Sequence, residues 1–387
     1  MEIHSITDLL EIAGSKRVLS APAPADLGLA EPLPYPFLAI VGQEDLKTAL
    51  LLTVINPNVQ GALLIGPRGT GKSTAVRSLP AILPQVDRSR CMYGCLPEDI
   101  LADGMDAVCP DCAKRFGEGE RLTYKDHVRL IELPLNAELP DVIGGVDERA
   151  TVGKRFGIQR GILSHADRNL LYVDEVNLLR DEIVDAILDA SAQGIYTVNR
   201  GQLSATYRSR FVLIGSMNPE EGQLRPQIMD RFGLRVVVKG LQNAEQRLDA
   251  YQRTLAYRNN PRQVIHEYAE LTGRVHEEIR LARENLPQVG ITPEAERFGL
   301  GLIQKLEIDS LRAELTLFEA ARAYAVADGR KQATLEDVRR VMPMALRLRR
   351  SAFMKDYFKA LNQEQREILE LGAQLTEKCS KGRAGNL

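Results

Sequence analysis

Residues 66–74 read Gly66-Pro67-Arg68-Gly69-Thr70-Gly71-Lys72-Ser73-Thr74. The spacing of the glycines, with a lysine and a hydroxyl closing the run, is that of a phosphate-binding loop. Glycines let successive backbone N–H groups curl inward as an anion nest. The helix expected after the loop turns its positive end to the phosphates. Lys72 would reach the β and γ oxygens, and Ser73 would give an oxygen to Mg²⁺. A second site runs through Leu170-Leu171-Tyr172-Val173-Asp174-Glu175. An apolar strand ending in two carboxylates places them at its carboxyl edge, where open α/β sheets bind ligands. Asp174 would hold Mg²⁺ through water, and Glu175 would orient and deprotonate an attacking water. A third apolar run ends Ser216-Met217-Asn218-Pro219. Asn218 is placed to touch the γ-phosphate or that water; alternatively, Asn-Pro only opens a turn. Then comes Leu224-Arg225-Pro226-Gln227-Ile228-Met229-Asp230-Arg231-Phe232. Arg231 and its rival Arg225 each offer a permanent charge and a planar fork of donors. The other reading of this run is an Asp230–Arg231 pair that merely closes a helix.

The elements that must hold these residues follow from patterning. Residues 61–66, 129–134, 170–174, 211–218 and 234–241 are short apolar runs with the length and flanks of buried strands. Helical spacing follows VGQED over 37–57, and a helix after the loop is interrupted or ended by Pro80. Another helix, EIVDAILDASAQG, stops at its glycine. Residues 141–163 read as a loop or hairpin with a helix behind it, and 195–208 as a β-hairpin around Asn-Arg-Gly. Beyond residue 242 the strand pattern stops, and helices are expected over 262–284, 293–308, 309–328 and 334–349. The fold class is α/β: a parallel P-loop sheet flanked by helices, then an all-helical lid. The expected domains are an extended proline-bearing arm (1–36), an ATPase domain (37–241), a lid (242–350), and a C-terminal helix and tail (351–387). The stretch 87–126, polar and Gly-rich, is expected to be an irregular insertion.

That insertion carries Cys91, Cys95, Cys109 and Cys112. Cys109-Pro-Asp-Cys112 has the two-residue gap that presents two thiolates to one metal, and four thiolates suit tetrahedral Zn²⁺. An iron–sulfur cluster also takes four cysteines. Independent thiols or a thiol–disulfide switch are the other readings. The segment between the pairs is too short and polar to form its own core, so a metal would supply the order it lacks.

Lys and Arg total 50 against 52 Asp and Glu, a net charge of -2. That balance lacks the footprint of a general nucleic-acid binder. No apolar run approaches a bilayer span, and the acidic first residues do not resemble a signal peptide. The expectation is a cytoplasmic protein without a disulfide framework.

The runs VGQEDLK, GPRGTGKSTAVRSL, LLYVDEVNLL, GSMNPEEGQLRPQIMDRFGL and LRAELTLFEAARAYA together resemble the I subunit of magnesium chelatase (ChlI/BchI type), over roughly residues 35–350. The resemblance implies an AAA+ motor that forms a homo-oligomeric ring, a hexamer in expectation. It implies two partners: a D subunit with an integrin-like I domain and a large porphyrin-binding H subunit. ATP hydrolysis would drive Mg²⁺ insertion into protoporphyrin IX, the committed step of chlorophyll and bacteriochlorophyll synthesis. It further implies Asn218 as sensor 1, Arg231 as an arginine finger serving a neighbour, Arg312 as sensor 2, and Val41 and Gly42 as nucleotide contacts. Residues 141–163 and 195–208 match the family's helix-2 and pre-sensor-1 insertions, which are rim and partner surfaces. The four cysteines depart from the family's usual I subunits. Alternative readings are the equivalent subunit of a cobalt chelatase, a MoxR-like remodelling ATPase, and a minichromosome-maintenance-like translocase.

Overall fold

The computed structural model describes residues 33–146, 158–200, 203–349 and 363. The arm and the C-terminal helix and tail lie outside these, save 33–36 and Gln363, as do the tips of both expected hairpins. The body begins at Tyr35. Its centre is a five-stranded sheet of β1 (Ala62–Ile65), β2 (Leu130–Glu132), β3 (Leu170–Val173), β4 (Val212–Met217) and β5 (Leu234–Val237). The spatial order is β5-β1-β4-β3-β2 and every pairing is parallel. Strands β1 and β3 are buried at every residue, as a sheet covered on both faces requires.

Alternate strand residues point to opposite faces, so the sheet divides two cores. Leu64, Tyr172, Ile214 and Val236 face α1 (Glu44–Ile55), α2 (Lys72–Ser78) and the lid helices. Leu63, Leu171, Val173 and Leu213 face α3 (Asp181–Gln193) and α4 (Pro226–Arg231). Helix α3 buries Ile183, Val184, Ile187 and Leu188 at helical spacing and ends at Gly194, whose φ of 68° is the left-handed cap glycine tolerates.

The lid carries helices Ala244–Asn259, Pro261–Asn285, Pro293–Lys305, Arg312–Ala327 and Leu335–Leu346. It is not wholly helical: Gly290–Ile291 and Gln332–Ala333 form a short parallel pair that sequence patterning could not show at two residues each. Helix Arg312–Ala327 buries Ala313, Ala320, Ala321, Ala323 and Ala325 completely. These small side chains let it approach α1, and this face of the sheet and the lid helices share one core. Asn56 at the end of α1 donates to the Glu319 carboxylate (2.7 Å).

A buried ionic knot completes the seam. Asp230, in α4, accepts from Arg349 (2.7 Å), Ser310 (2.9 Å), Arg312 (3.4 Å) and Arg235 (3.5 Å). The side chains of Arg235 and Arg349 are fully buried. Burial acts to raise the Asp230 pKa, but Ser310 and the three guanidiniums outweigh it and hold it below the ordinary aspartate value of 3.8. A depressed folded-state pKa gives stability that is complete above 3.8 and fades as pH falls through the lower folded value. Asp230→Ala strands two buried cations and is expected to cost about 3 kcal/mol in urea unfolding at neutral pH. A loss under half that would deny the knot this role.

The insertion corrects the sequence reading. Val86–Ser89 and Thr123–Asp126 pair antiparallel, and between them stand helices Pro97–Asp103 and Pro110–Gly117. Both helices start on proline, which suits the first turn where no N–H is needed. Their brevity left no amphipathic period to read. The ladder is held by polar pairs such as Arg88–Asp126 (2.7 Å) rather than an apolar stripe, so its composition resembled a loop.

Candidate functional site

The carboxyl edge of the sheet gathers the residues of the phosphate loop and the two acidic positions. Gly69 and Gly71 adopt φ of 76° and 86°, and the space a side chain would fill at either is open. Such an open, glycine-lined cradle is suited to a polyphosphate. Lys72 is buried, and its ammonium donates to the carbonyls of Gly66 (2.6 Å) and Pro67 (2.7 Å). Burial pulls its pKa below the usual lysine value, while Asp174, Glu175 and Glu221 push the other way. Ser73 at the start of α2 donates to Asp174 Oδ2 (3.4 Å). This pairing of a hydroxyl with a carboxylate is an oxygen set suited to Mg²⁺. Thr70 bonds back to the Pro67 carbonyl (3.0 Å), which closes the loop, and Thr74 follows within α2.

Two further residues organise Asp174. The Tyr172 hydroxyl donates to Asp174 Oδ1 (2.8 Å) and lies 3.0 Å from Ser73 Oγ. The Ser216 hydroxyl also donates to Oδ1, and it accepts from the Glu175 amide (3.2 Å). Glu175 adopts φ of 51°, the left-handed region that glutamate seldom enters. This turns it off the strand end beside Arg68 (3.5 Å). Arg68 makes a shorter pair with Glu221 (2.6 Å), which in turn accepts from Asn218 (3.1 Å). Asn218 is buried. Glu175, Arg68, Glu221 and Asn218 thus form one connected chain of polar groups.

Sequence reasoning missed Tyr172, Ser216 and Glu221. The first two had a signal: each lies two residues before a candidate on the same strand, hence on the same face. Val41 and Gly42 stand beside this edge. A Cβ at Gly42 would meet Leu241 and Gln246, and the neighbouring Gln43 donates to Lys239 (2.7 Å) and Thr70 (3.4 Å) carbonyls.

The remaining candidates are elsewhere. Arg231 and Arg312 line a cavity of about 1000 Å³ that also includes Gly61, Leu170 and Val212, at the amino ends of β1, β3 and β4. The structure therefore separates both arginines from the chain's own phosphate loop. The Asp230–Arg231 pair considered from sequence does not form among the described residues: Asp230 turns to Arg235, Arg312 and Arg349 instead. Arg231 pairs with Asp189 (2.5 Å), and Arg225 with Asp181 (2.8 Å) and Asp185 (3.8 Å). These three aspartates, four apart on α3, form one acidic face. All three arginine candidates are partly exposed, Arg225 at 47%, Arg312 at 44% and Arg231 at 32%.

Cys91, Cys95, Cys109 and Cys112 come together, with all four Sγ atoms within 4.8 Å of one another. Cys95 and Cys112 are buried. A hydrogen bond from the Cys95 thiol, with help from Ser89, holds the Cys91 thiol below the usual cysteine value, whereas burial and neighbouring thiols push Cys112 up. Among the described residues, no helix is long and apolar enough to cross a membrane.

Residues 144–227 match the family model described as magnesium chelatase, subunit ChlI, and residues 302–370 match an AAA lid domain. The chain is 41% identical over 323 residues to a magnesium-chelatase subunit ChlI homolog of Methanocaldococcus jannaschii, covering 82% of this chain and 87% of that one. It is 40% identical over 317 residues to the magnesium-chelatase 38 kDa subunit of Acidiphilium rubrum, covering 81% and 90%. In a solved complex of the BchI and BchD subunits of magnesium chelatase, one chain is 37% identical, covering 83% of this chain and 98% of that one at a TM-score of 0.46.

Proposed function

The chain belongs to the magnesium chelatase subunit ChlI family, and we propose that it is the ATP-hydrolysing AAA+ motor subunit of a magnesium chelatase. The observation that carries this reading is the split of the site. Phosphate loop, Asp174, Glu175 and Asn218 lie at one edge of the sheet, and Arg231 and Arg312 line a cavity at the other. A chain built this way has half a catalytic site on each of two faces, and a ring of copies joins the halves.

Each residue then has a part. Lys72 binds the β and γ oxygens, with the open cradle at Gly69 and Gly71 giving backbone donors. Val41 and Gly42 flank the nucleotide. Ser73 and Asp174 would hold the Mg²⁺ that accompanies ATP, with Tyr172 and Ser216 fixing the carboxylate. That ion neutralises charge on the phosphate oxygens when bound. Glu175 takes the proton from the attacking water, and Asn218 orients water or γ-phosphate. Arg231, as the finger, and Arg312, as sensor 2, steady charge on a neighbour's nucleotide. Arg225 is not among the residues that line that cavity and is the weaker candidate.

The motor acts with a D subunit carrying an integrin-like domain and a porphyrin-binding H subunit, and its work drives Mg²⁺ insertion into protoporphyrin IX. The names of the relatives favour magnesium over the cobalt and remodelling alternatives. Reconstitution tests this reading. With cognate D and H partners the chain is expected to support insertion of Mg²⁺ into protoporphyrin only when ATP is supplied, read by the porphyrin's fluorescence shift. Cobalt insertion into a corrin instead, with no magnesium product, would reassign the complex.

A further inference from the structure

The four cysteines lie in a module, residues 86–126, that contributes nothing to the nucleotide chemistry above. Its own apolar core is Cys95, Cys112, Ile100 and Leu122. So few buried side chains cannot offset the cost of ordering two helices and a two-stranded ladder. A cross-link is needed, and the thiols are placed to make one. Four sulfurs at ~2.3 Å from one ion stand ~3.8 Å apart at tetrahedral vertices. With all four Sγ already within 4.8 Å, an inward shift of roughly half an ångström per sulfur completes the set. Iron–sulfur clusters spread their ligands over several irons and need wider spacing. Backbone amides also point at the sulfurs: Cys95 N donates to Cys91 Sγ (3.4 Å) and Cys109 N to Cys95 Sγ (3.3 Å).

The module is fastened to the root of the Ile195–Arg208 hairpin, which runs directly into β4 and so to Ser216 and Asn218. The Arg208 amide donates to the Tyr93 carbonyl (3.0 Å) and its guanidinium to the Ala107 carbonyl (3.2 Å). Arg210 donates to the Gly94 carbonyl (2.7 Å), and both arginines reach Asp99 at 3.4 Å. Tyr93 stacks on Tyr207 at 5.5 Å. Gly94, between the first two cysteines, is at φ 78°, and a Cβ there would fall 2.7 Å from that of Arg208. The hairpin root therefore rests on the Cys91–Cys95 turn itself.

We propose that Cys91, Cys95, Cys109 and Cys112 bind one Zn²⁺ as a four-thiolate site, and that this ion braces the hairpin root by keeping the Cys91–Cys95 turn closed. This inference stands apart from the motor reading, because zinc content and hairpin protection are measured without ATP or partners.

The full chain, purified without added metal or chelator, is expected to contain one zinc per chain by elemental analysis and to show no visible absorbance. Titration of the thiols with a mercurial should release that zinc to a colorimetric indicator. Hydrogen exchange before and after release should show the Arg208 amide losing about tenfold or more of its protection, with β1 unchanged. Cys109→Ser/Cys112→Ser should reproduce both effects; if that variant fails to fold, the release experiment on the native chain carries the test alone. Iron with visible absorbance, or metal-free chain whose four module cysteines are in two disulfides or are all free thiols, would overturn the zinc site. Zinc release that leaves Arg208 protected would overturn the brace.

Discussion

Glu175→Gln is expected to bind ATP as the native chain does and to hydrolyse it about 10³-fold more slowly. The substitution keeps shape and replaces a basic carboxylate with an amide that cannot take the proton. The amide of residue 175 still bonds Ser216, so the strand end holds its turn. Lys72, Ser73 and Asp174 are untouched, so nucleotide and Mg²⁺ contacts persist. Lys72→Ala is the contrast: it deletes the buried ammonium at the loop and should abolish tight binding itself. Equilibrium binding of a fluorescent ATP analogue and steady-state phosphate release separate the two. Normal turnover in Glu175→Gln would remove the general-base role, and Glu221, joined to Glu175 through Arg68, would be next to test.

The core of this site was legible because its chemistry is local. Lys72 and Ser73 follow the loop glycines directly, and Asp174 and Glu175 close an apolar run whose end must lie at the ligand edge. What the sequence concealed depends on long-range pairing. Glu221 meets Arg68 only because β1 and β4 are neighbours in the sheet. Asp189, Asp185 and Asp181 become arginine partners only once α4 packs against α3. The Asp230 knot draws on residues up to 119 positions away. In the lid, helix Ala244–Asn259 has no buried residue, so the apolar period that betrays a helix is weak there. The cysteine module hid its order for a related reason: thiol placement and polar pairs, rather than an apolar stripe, organise it.

Arg231→Ala should leave ATP binding near native and depress hydrolysis by about 10³-fold or more. The magnitude follows from what an arginine finger supplies, a permanent charge aimed at the phosphoryl group as its charge redistributes. The direction of the argument comes from geometry. Arg231 lines a cavity at the amino ends of the strands, whereas Lys72 and Glu175 stand at the carboxyl ends, so a chain cannot serve its own nucleotide with this side chain. Loss of Arg231 also frees Asp189, but that aspartate is 58% exposed and is readily solvated, so folding should be little affected. The decisive measurement is mixing. In the proposed ring, a mixture of Arg231→Ala and Glu175→Gln copies would contain interfaces where an intact Glu175 faces an intact Arg231, roughly a quarter of them at equal input. Each parent is nearly inactive alone, so hydrolysis should reappear in the mixture. Glu175→Gln serves better here than Lys72→Ala, because it keeps nucleotide bound and so keeps any nucleotide-dependent ring assembled. Arg312→Ala should complement in the same way, since Arg312 shares the cavity. Mixtures that form rings yet stay inactive would place the finger elsewhere. Arg225→Ala, expected to be mild because Arg225 does not line that cavity, would then be the variant to complement.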